Sequence, residues 1–374
     1  MVIGIDCSRA LSEGRTGTEN YSYYLIRELL RLPAVKKHRF VLYIRPKVQV
    51  PSWMRGKGVE IRRIKMKYLW TQVGLARETW GDKLDVLLIP AHTLPLLRRP
   101  GIRTVVTIHG LEYKWLPEYK NLLQRWYLPI STFYAARKAD KLIAVSQFTR
   151  LQLIDELGVD EKKIEVIYEG VQGRTGKEAV NSLGEVLRKY GLLEKKYLFF
   201  VGTLQPRKNL SALIRTFSLV SEKYPEMKLV LAGGSGWLVK EIYQAANQSK
   251  VVERIVFTGR VSDEELDQLY RGAKLYLQPS IQEGFGLPVL EAMRRGVPVI
   301  ASDGGALPEI VGGAGVVVRL GKGFEERLAS AIDERWRDTS LQTIMIEAGK
   351  KRASEYSWKV TAQKTFKVLT ESYH

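Results

Sequence analysis

Two adjacent cations, Arg207 and Lys208, lie between the end of an apolar stretch and the start of a helical pattern, within the segment Gly202–Asn209. Asn209 is a residue type that favours the cap before the first turn of a helix. Cations beside the unpaired N–H groups of a helix start attract anions, and two of them suit a diphosphate. In a basic chain such a pair is more often solvated surface. Its position between strand and helix favours an anion site.

Two carboxylates, Glu283 and Glu291, form the most specific pattern in the sequence, because glycines and a proline lie between them. We expect Pro288 at the first position of a helix and residues 284–287 in a tight loop ahead of it. Backbone N–H groups there would face a polar ligand, and carboxylates accept hydrogen bonds from sugar and ribose hydroxyls. The alternative is that one Glu complements the helix dipole and the other is an unrelated loop residue.

Two further segments follow predicted strands and carry weaker signals. His109 ends an apolar run and precedes Gly110; an isolated His in this position is equally often a structural residue. After the first strand, the segment 14–19 contains two glycines that would allow close approach of a ligand, and Thr16 and Glu19 have capping-box spacing. The alternative for that segment is a flexible turn.

Motifs of several other chemistries are absent from the sequence. It has no Gly-x-Gly-x-x-Gly after the first strand, no phosphate loop of the Gly-x4-Gly-Lys-Ser/Thr type and no Gly-x-Ser-x-Gly elbow. It also has no Asp-x-Asp pair and no His-x-x-x-His pair, so we expect no divalent-metal site.

Strand and helix patterns alternate along the chain. Continuous runs of Val, Ile and Leu predict strands covered on both faces, as in parallel sheets. These runs lie at residues 2–5, 40–44, 86–89, 104–108, 141–145, 197–201, 228–232, 255–258, 275–278 and 298–301. Between them, apolar residues such as Leu210, Leu213, Ile214 and Phe217 recur at helical spacing. The sequence therefore predicts an α/β protein with open, doubly wound parallel sheets.

Length and composition indicate two globular domains. A chain of 374 residues is too long for one ordinary core, and 45% hydrophobic with 26% charged residues excludes disorder. The segment 169–185 contains several glycines and few large apolar residues, which is typical of a linker. We place the domain boundary near residue 170.

The strongly positive charge predicts an anionic partner. The formal net charge is +19 and the isoelectric point is near 9.8. The negative charge of a nucleic acid, an acidic membrane or a phosphorylated ligand would each complement this positive charge. Nucleic acid is disfavoured, because no recognisable nucleic-acid-binding motif occurs and the cations are spread over both halves of the chain.

The cellular compartment is expected to be the cytoplasm. Cys7 is the only cysteine, which excludes an internal disulfide and indicates a reducing compartment. The first residues read as a strand and lack the features of a signal peptide. No apolar run approaches the roughly 20 residues that a transmembrane helix needs.

Taken in order along the chain, these segments resemble the retaining glycosyltransferases of family 4, which have the GT-B architecture. The resemblance covers nearly the whole sequence. The matching segments are residues 17–21, His109, residues 139–146, 168–171, 202–210 and 257–261, and the Glu-x7-Glu signature at Glu283 and Glu291.

The resemblance implies a GT-B fold: two Rossmann-like, doubly wound parallel-sheet domains facing a cleft. The acceptor would be held mainly by residues 1–170, together with a final helix of about residues 357–374 that crosses back to them. The nucleotide-sugar would be held mainly by residues 171–356.

The resemblance also implies a role for each candidate residue. Arg207 and Lys208 would hold the donor diphosphate, Glu291 the ribose, and Glu283 the sugar hydroxyls, while His109 would approach the transferred sugar. The remaining donor-binding candidates are Gly202, Gly17 near the phosphates, Arg260 and Val261 beside the base, and Gly284, Phe285, Gly286 and Leu287 at the sugar. The sequence departs from one common variant of the family, in which Asp rather than Gly110 follows the histidine.

The activity expected from this resemblance is metal-independent, retaining transfer of a hexose from a nucleoside-diphosphate sugar to a saccharide or lipid-linked acceptor, without a cofactor. GDP-mannose is the first donor to consider, followed by UDP-glucose or a UDP-N-acetylhexosamine. The alternatives are a nucleotide-sugar epimerase of the same fold and a basic nucleic-acid-binding protein. A nicotinamide oxidoreductase is disfavoured, because the dinucleotide fingerprint is missing.

Peripheral contact with the inner face of an anionic membrane is a further expectation. Between Arg27 and Lys67 there are 13 basic and 2 acidic residues, and Trp53, Tyr68 and Trp70 lie in or near that stretch. The aromatic segment 115–137 is a second candidate for an interfacial helix or an acceptor wall. The alternative is a helix whose aromatic residues are partly buried in the core.

Overall fold

The computed structural model describes residues 1–12, 14–66, 68–111, 122–172 and 183–371; for 122–126 and 183 it describes the backbone alone. The chain divides into two units. One comprises Met1–Gly170 with Ser357–His374, and the other comprises Val171–Tyr356.

The first unit is built on a parallel sheet of seven strands in the order β3-β2-β1-β4-β5-β6-β7. The strands are β1 (Val2–Asp6), β2 (Arg39–Ile44), β3 (Val59–Arg63), β4 (Val86–Ile89), β5 (Arg103–Ile108), β6 (Lys141–Ala144) and β7 (Ile164–Val166). The helices between them are α1 (Gly17–Arg31), α2 (Ala76–Gly81), α3 (Leu122–Lys138) and α4 (Gln147–Leu157). Strand β4 is apolar and buried throughout, and β1 and β5 are buried at all but their first residue, because helices cover both faces of the sheet.

The second unit repeats this plan with a parallel sheet of six strands in the order β10-β9-β8-β11-β12-β13. The strands are β8 (Tyr197–Val201), β9 (Lys228–Ala232), β10 (Ile255–Gly259), β11 (Leu275–Gln278), β12 (Val299–Ser302) and β13 (Val316–Val318). The helices are α5 (Leu183–Lys189), α6 (Leu210–Ser221), α7 (Lys240–Asn247), α8 (Asp263–Gly272), α9 (Leu287–Arg294), α10 (Leu307–Val311), α11 (Phe324–Arg337) and α12 (Thr339–Ser354). This strand order is that of a doubly wound fold, which places ligands beyond the carboxyl ends of the strands.

The last helix, α13 (Trp358–Thr370), belongs to the first unit. Its Trp358 ring stacks on Tyr24 at 5.5 Å and meets the edge of Tyr21 at 5.7 Å. Thr361 donates a hydrogen bond to the carbonyl of Tyr168 over 2.8 Å. The side chain of Arg103 donates to the carbonyl groups of Val368 and Glu371 near the end of the helix.

Three strands were not predicted from the sequence: β3, β7 and β13. Each lies at the edge of its sheet. An edge strand pairs on one side only, so it is short or carries polar residues, and β3 ends with Arg62 and Arg63. The ten apolar runs predicted as strands all lie in the sheets, with ends that differ by no more than one residue.

The structure corrects part of the expected lipid-contact region between Arg27 and Lys67. Arg39 and Arg62 both pair with Glu60, so part of the positive charge is neutralised within the unit. Trp70 is 4% exposed, and the Trp53 ring packs against Tyr23 at 5.2 Å. Two of the three aromatic residues therefore face protein.

Only part of the aromatic segment 115–137 can be evaluated. Residues 115–121 lie outside the described residues. Tyr127 and Phe133 are exposed, and Tyr134 is half-buried. Among the helices that the structure describes, none has the length and hydropathy needed to cross a bilayer.

Candidate active site

The loop after β8 brings the two adjacent cations to the carboxyl edge of the second sheet. Pro206–Lys208 forms one turn of 3-10 helix, which leads into α6. Arg207 is buried at 6% exposure, and the Lys208 side chain is 12% exposed. These two side chains are therefore held within the protein at the edge of the sheet and are not solvated surface cations.

The structure confirms the position expected for Asn209, at the cap of α6, but shows no capping hydrogen bond from its side chain. The backbone of Asn209 is left-handed, with φ 56°. A capping side chain normally extends from a residue with extended backbone, which directs its oxygen at the N–H groups of the first turn.

Glu283 lies against both cations. Arg207 Nη1 is 3.0 Å from Glu283 Oε2, and Lys208 Nζ is 2.6 Å from Oε1. Two neutral donors also reach Oε1: Gln278 Nε2 at 2.9 Å and Ser280 Oγ at 2.6 Å. The carboxylate is thus fully engaged within the second unit.

The environment of Glu283 strongly favours its ionised form. Burial by itself would raise the pKa of this carboxyl. The charges of Lys208 and Arg207, with the hydrogen bonds from Lys208 and Ser280, outweigh burial and lower the pKa to about 2. Any anion that binds Arg207 and Lys208 must therefore compete with Glu283 or share them with it.

The loop after β12 holds the backbone of Glu283. The N–H of Ala306 donates to the Glu283 carbonyl over 2.9 Å, and Glu283 forms an isolated parallel bridge with Gly305. A Cβ at Gly305 would lie 2.3 Å from the Glu283 carbonyl oxygen, and φ there is +67°. Only glycine permits this approach. Sequence reasoning missed this loop, and the only available signal was the pair Gly304-Gly305 after an apolar run.

Glu291 lies on α9, the helix that follows the glycine loop. The helix begins at Leu287, with Gly286 as its cap and Pro288 at the second position, so the expected start at Pro288 is one residue late. Phe285 is 5% exposed and its ring packs on Tyr356 at 5.9 Å, so it offers a ligand its backbone rather than its ring.

Tyr270, which the sequence did not indicate, positions the Glu291 carboxyl. Its hydroxyl donates to Glu291 Oε2 over 3.0 Å, and its ring is fully buried. The Arg295 guanidinium lies 4.8 Å from the centre of that ring and is held by Asp267 at 2.7 Å. Burial raises the pKa of Glu291, against the opposing effects of Arg295 and the Tyr270 hydrogen bond.

Arg260 and Gly202 meet at a second glycine turn, residues 233–236. A Cβ at Gly233 would lie 2.0 Å from the Gly202 carbonyl oxygen, and one at Gly234 would lie 2.9 Å from Arg260 Nε. Gly202 and Arg260 are therefore neighbours at the same edge of the sheet. Arg260 is exposed and Val261 is half-buried.

In the first unit, His109 is bound on both ring nitrogens. Nε2 lies 3.0 Å from the carbonyl of Pro90, which can only accept, so Nε2 carries a proton. Nδ1 lies 3.3 Å from Glu169 Oε1. Burial raises the pKa of Glu169, although His109 opposes this effect. The imidazole is thus held by the fold, and its ring also meets the edge of Tyr21 at 4.6 Å.

Gly17 is the first residue of α1, next to the predicted capping box. Thr16 and Glu19 form that box, and within the described part of the chain no atom lies within 4 Å of a Cβ built on Gly17. Among the described residues, no cluster of three or more His, Cys, Asp or Glu side chains is arranged to hold a metal ion.

Two family models match the two units of the chain. The model for "Glycosyltransferase Family 4" matches residues 15–172, and that for "Glycosyl transferases group 1" matches residues 185–352. O-antigen chain mannosyltransferase B of Escherichia coli is 31% identical over 257 residues, which cover 68% of this chain and 67% of that protein. This chain belongs to the family 4 glycosyltransferases. The family predicted from the sequence is confirmed.

Other similar proteins extend this finding. The GDP-mannose-dependent alpha-(1-6)-phosphatidylinositol monomannoside mannosyltransferase of Mycolicibacterium smegmatis is 28% identical over 290 residues, 74% of this chain and 72% of its own length. Two further curated relatives are matched over only 59% and 54% of their own length. Sucrose-phosphate synthase from Thermosynechococcus elongatus superposes with a TM-score of 0.77 at 18% identity, over 98% of both chains. This likeness confirms the predicted GT-B fold class.

Proposed function

We propose that this glycosyltransferase moves a hexose from a nucleoside-diphosphate sugar to a saccharide or lipid-linked acceptor, with retention at the anomeric carbon and without a metal ion. The proposal rests mainly on the largely buried cluster of Arg207, Lys208 and Glu283, in which two fixed cations lie within 3.0 Å of one carboxylate. Fixed cations supply the charge that a departing diphosphate needs.

The proposed reaction breaks the bond between the anomeric carbon and the diphosphate oxygen. The diphosphate leaves with the electron pair, and Arg207 and Lys208 stabilise the charge that develops. The acceptor hydroxyl attacks from the same face, and its proton passes to the departing phosphate. Glu283 positions the sugar, and Glu291, held by Tyr270, accepts hydrogen bonds from the ribose. The products are the glycoside and the nucleoside diphosphate.

GDP-mannose is the proposed donor, with UDP-glucose or a UDP-N-acetylhexosamine as the next candidates. Support comes from the relatives, since one is named as GDP-mannose-dependent and others are named as mannosyltransferases. The acceptor is proposed only by class.

Replacement of Lys208 tests this proposal. Lys208→Ala should lower kcat by about 100- to 1,000-fold, because one preorganised charge on the leaving group is lost. Lys322→Ala, which removes an exposed lysine of the same unit, is the matched control and should leave turnover unchanged. Turnover is measured by release of nucleoside diphosphate, and circular dichroism checks the fold of both variants. Near-normal turnover of Lys208→Ala would remove this residue from the diphosphate site.

A further inference from the structure

The first unit exposes large apolar side chains on three neighbouring segments. They are Val73 and Trp80 around α2, Leu96 and Leu97 in the loop after β4, and Ile130 and Phe133 on α3. Their exposed fractions range from 45% for Val73 to 76% for Leu97. Isolated exposed apolar residues are ordinary, whereas a contiguous group indicates contact with another surface.

Hydrogen bonds hold these three segments together as one surface. Trp80 Nε1 donates to the carbonyl of Leu97 over 3.2 Å, and the Tyr134 hydroxyl donates to that of Leu96 over 3.3 Å. Gln72 accepts from the N–H of Leu96 at 2.9 Å and donates to the Tyr127 hydroxyl at 3.3 Å. The loop is thereby tied both to α2 and to α3.

Both helical segments present an arginine on the same face as their exposed apolar residues. Val73, Arg77 and Trp80 are spaced by four and three residues, and all three are exposed. Ile130, Phe133 and Arg137 are spaced by three and four, and they are exposed as well. The Arg137 guanidinium lies 5.1 Å from the centre of the Phe133 ring. The surface thus combines apolar side chains with cations.

We propose that this surface, defined by Val73, Arg77, Trp80, Leu96–Leu97, Ile130, Phe133 and Arg137, docks on an anionic lipid bilayer. Apolar side chains enter the acyl boundary while arginines contact lipid phosphates, and tryptophan favours the interface between them. A second copy of the chain fits less well, because two copies would bring arginines together and each copy already carries a net charge of +19. The proposal is independent of the donor chemistry, and it would place the enzyme beside a lipid-linked acceptor.

Vesicle co-sedimentation tests this proposal on the full chain. We expect binding to phosphatidylcholine vesicles that contain phosphatidylglycerol to exceed binding to pure phosphatidylcholine vesicles by at least about tenfold, since each cation near the surface contributes about fivefold. The double variant Leu97→Asp/Ile130→Asp should lose at least tenfold in partitioning to the anionic vesicles. Arg77→Glu should lose at least about fivefold on anionic vesicles and change little on neutral ones.

Matched controls come from the second unit. Ile344 and Leu193 are each 63% exposed, as is Ile130, so Ile344→Asp/Leu193→Asp makes the same chemical change elsewhere and should bind vesicles like the wild type. Arg319→Glu is the matched charge control. Melting temperature and circular dichroism confirm that each variant is folded. If Asp destabilises the first unit, Leu97→Gln/Ile130→Gln replaces it.

Three results would overturn the proposal. One is equal binding of the wild type to anionic and neutral vesicles. Another is retention of anionic binding by the folded Leu97/Ile130 double variant. The third is a dimer in sedimentation equilibrium that this double variant dissociates, which would assign the surface to a second copy of the chain. All three can be read whether or not the enzyme uses the proposed donor.

Discussion

Glu283 is the residue on which the candidate site depends most. Its two oxygens accept hydrogen bonds from Arg207, Lys208, Gln278 and Ser280, and the first two donors are the cations that the proposed diphosphate requires. Without a ligand, the carboxylate serves as the internal counter-ion of this pair. When the donor binds, its diphosphate either replaces Glu283 as the anionic partner of Arg207 and Lys208 or binds these cations together with Glu283.

Replacing Glu283 by Gln should therefore lower the stability of the fold while increasing the stabilisation that nucleoside diphosphate provides. Glu283→Gln leaves the buried Arg207 and the half-buried Lys208 without their counter-ion and should lower the free energy of unfolding by about 3 kcal/mol at neutral pH. Transfer should fall strongly, yet the rise in melting temperature on adding nucleoside diphosphate should exceed that of the wild type, because the diphosphate restores the missing charge. A smaller rise than in the wild type would show that Glu283 does not compete for the cations.

The same variant gives a pH test with a definite sign. The pKa of Glu283 falls from 4.5 to about 2 in the folded chain, so its ionised form stabilises the fold at pH values above 4.5. This stabilisation is lost as the pH falls from 4.5 towards about 2. The difference in unfolding free energy between wild type and Glu283→Gln should be constant at pH values above 4.5 and shrink below it, as measured by urea denaturation. A difference that grows on acidification would contradict the assigned pKa.

At this scale the sequence indicated the charged residues but not their partners. Arg207, Lys208, Glu283 and Glu291 were recognisable because motif spacing and position at strand ends distinguish them. Gln278, Ser280 and Tyr270 act only through contacts between separate segments, and their residue types are common in any strand or helix. The proposed roles in donor and sugar binding stay predictions for five further residues: Gly17, Gly202, Arg260, Val261 and His109.

At the scale of elements, the site depends on glycine loops at the carboxyl ends of strands. The loop after β12 packs against Glu283, and the loop after β9 packs against Gly202. A glycine turn such as residues 233–236 carries no specific signal in a sequence, because a turn by itself does not reveal what it packs against. Edge strands β3, β7 and β13 were missed for other reasons: β7 and β13 are only three residues long, and β3 carries three charged residues among its five.

Gly305→Ala tests the loop that holds Glu283. The new Cβ would lie 2.3 Å from the Glu283 carbonyl oxygen, so the loop must move and the carboxylate with it. A displacement of about 1 Å should cost about 100-fold in kcat. Gly321→Ala is the matched control, because Gly321 also has positive φ, +92°, but no atom of the described residues lies within 4 Å of its built Cβ.

Both variants should lose about 1 kcal/mol of stability from the left-handed backbone. Only Gly305→Ala should lose activity, as measured by release of nucleoside diphosphate. Equal turnover of the two variants would show that the loop after β12 does not position Glu283.

At the scale of the whole molecule, the chain combines two doubly wound units with a strongly basic surface. The two units share one fold plan, yet the buried cation–carboxylate cluster lies in the second and the exposed apolar surface in the first. The split near residue 170 follows from sequence because glycines interrupt the strand–helix alternation there. The exposed apolar surface could not be predicted from the sequence, because the exposure of a side chain depends on how loops and helices pack.

The central claim is that Arg207 and Lys208 form a nucleoside-diphosphate site that needs no metal. The most direct measurement is the thermal shift of the wild type and Lys208→Ala with GDP, UDP and ADP, in the presence of EDTA. One nucleotide should raise the stability of the wild type, by about 2.7 kcal/mol at 100 times its Kd. The shift should disappear in Lys208→Ala. Absence of any shift in the wild type, or an equal shift in both proteins, would contradict the claim.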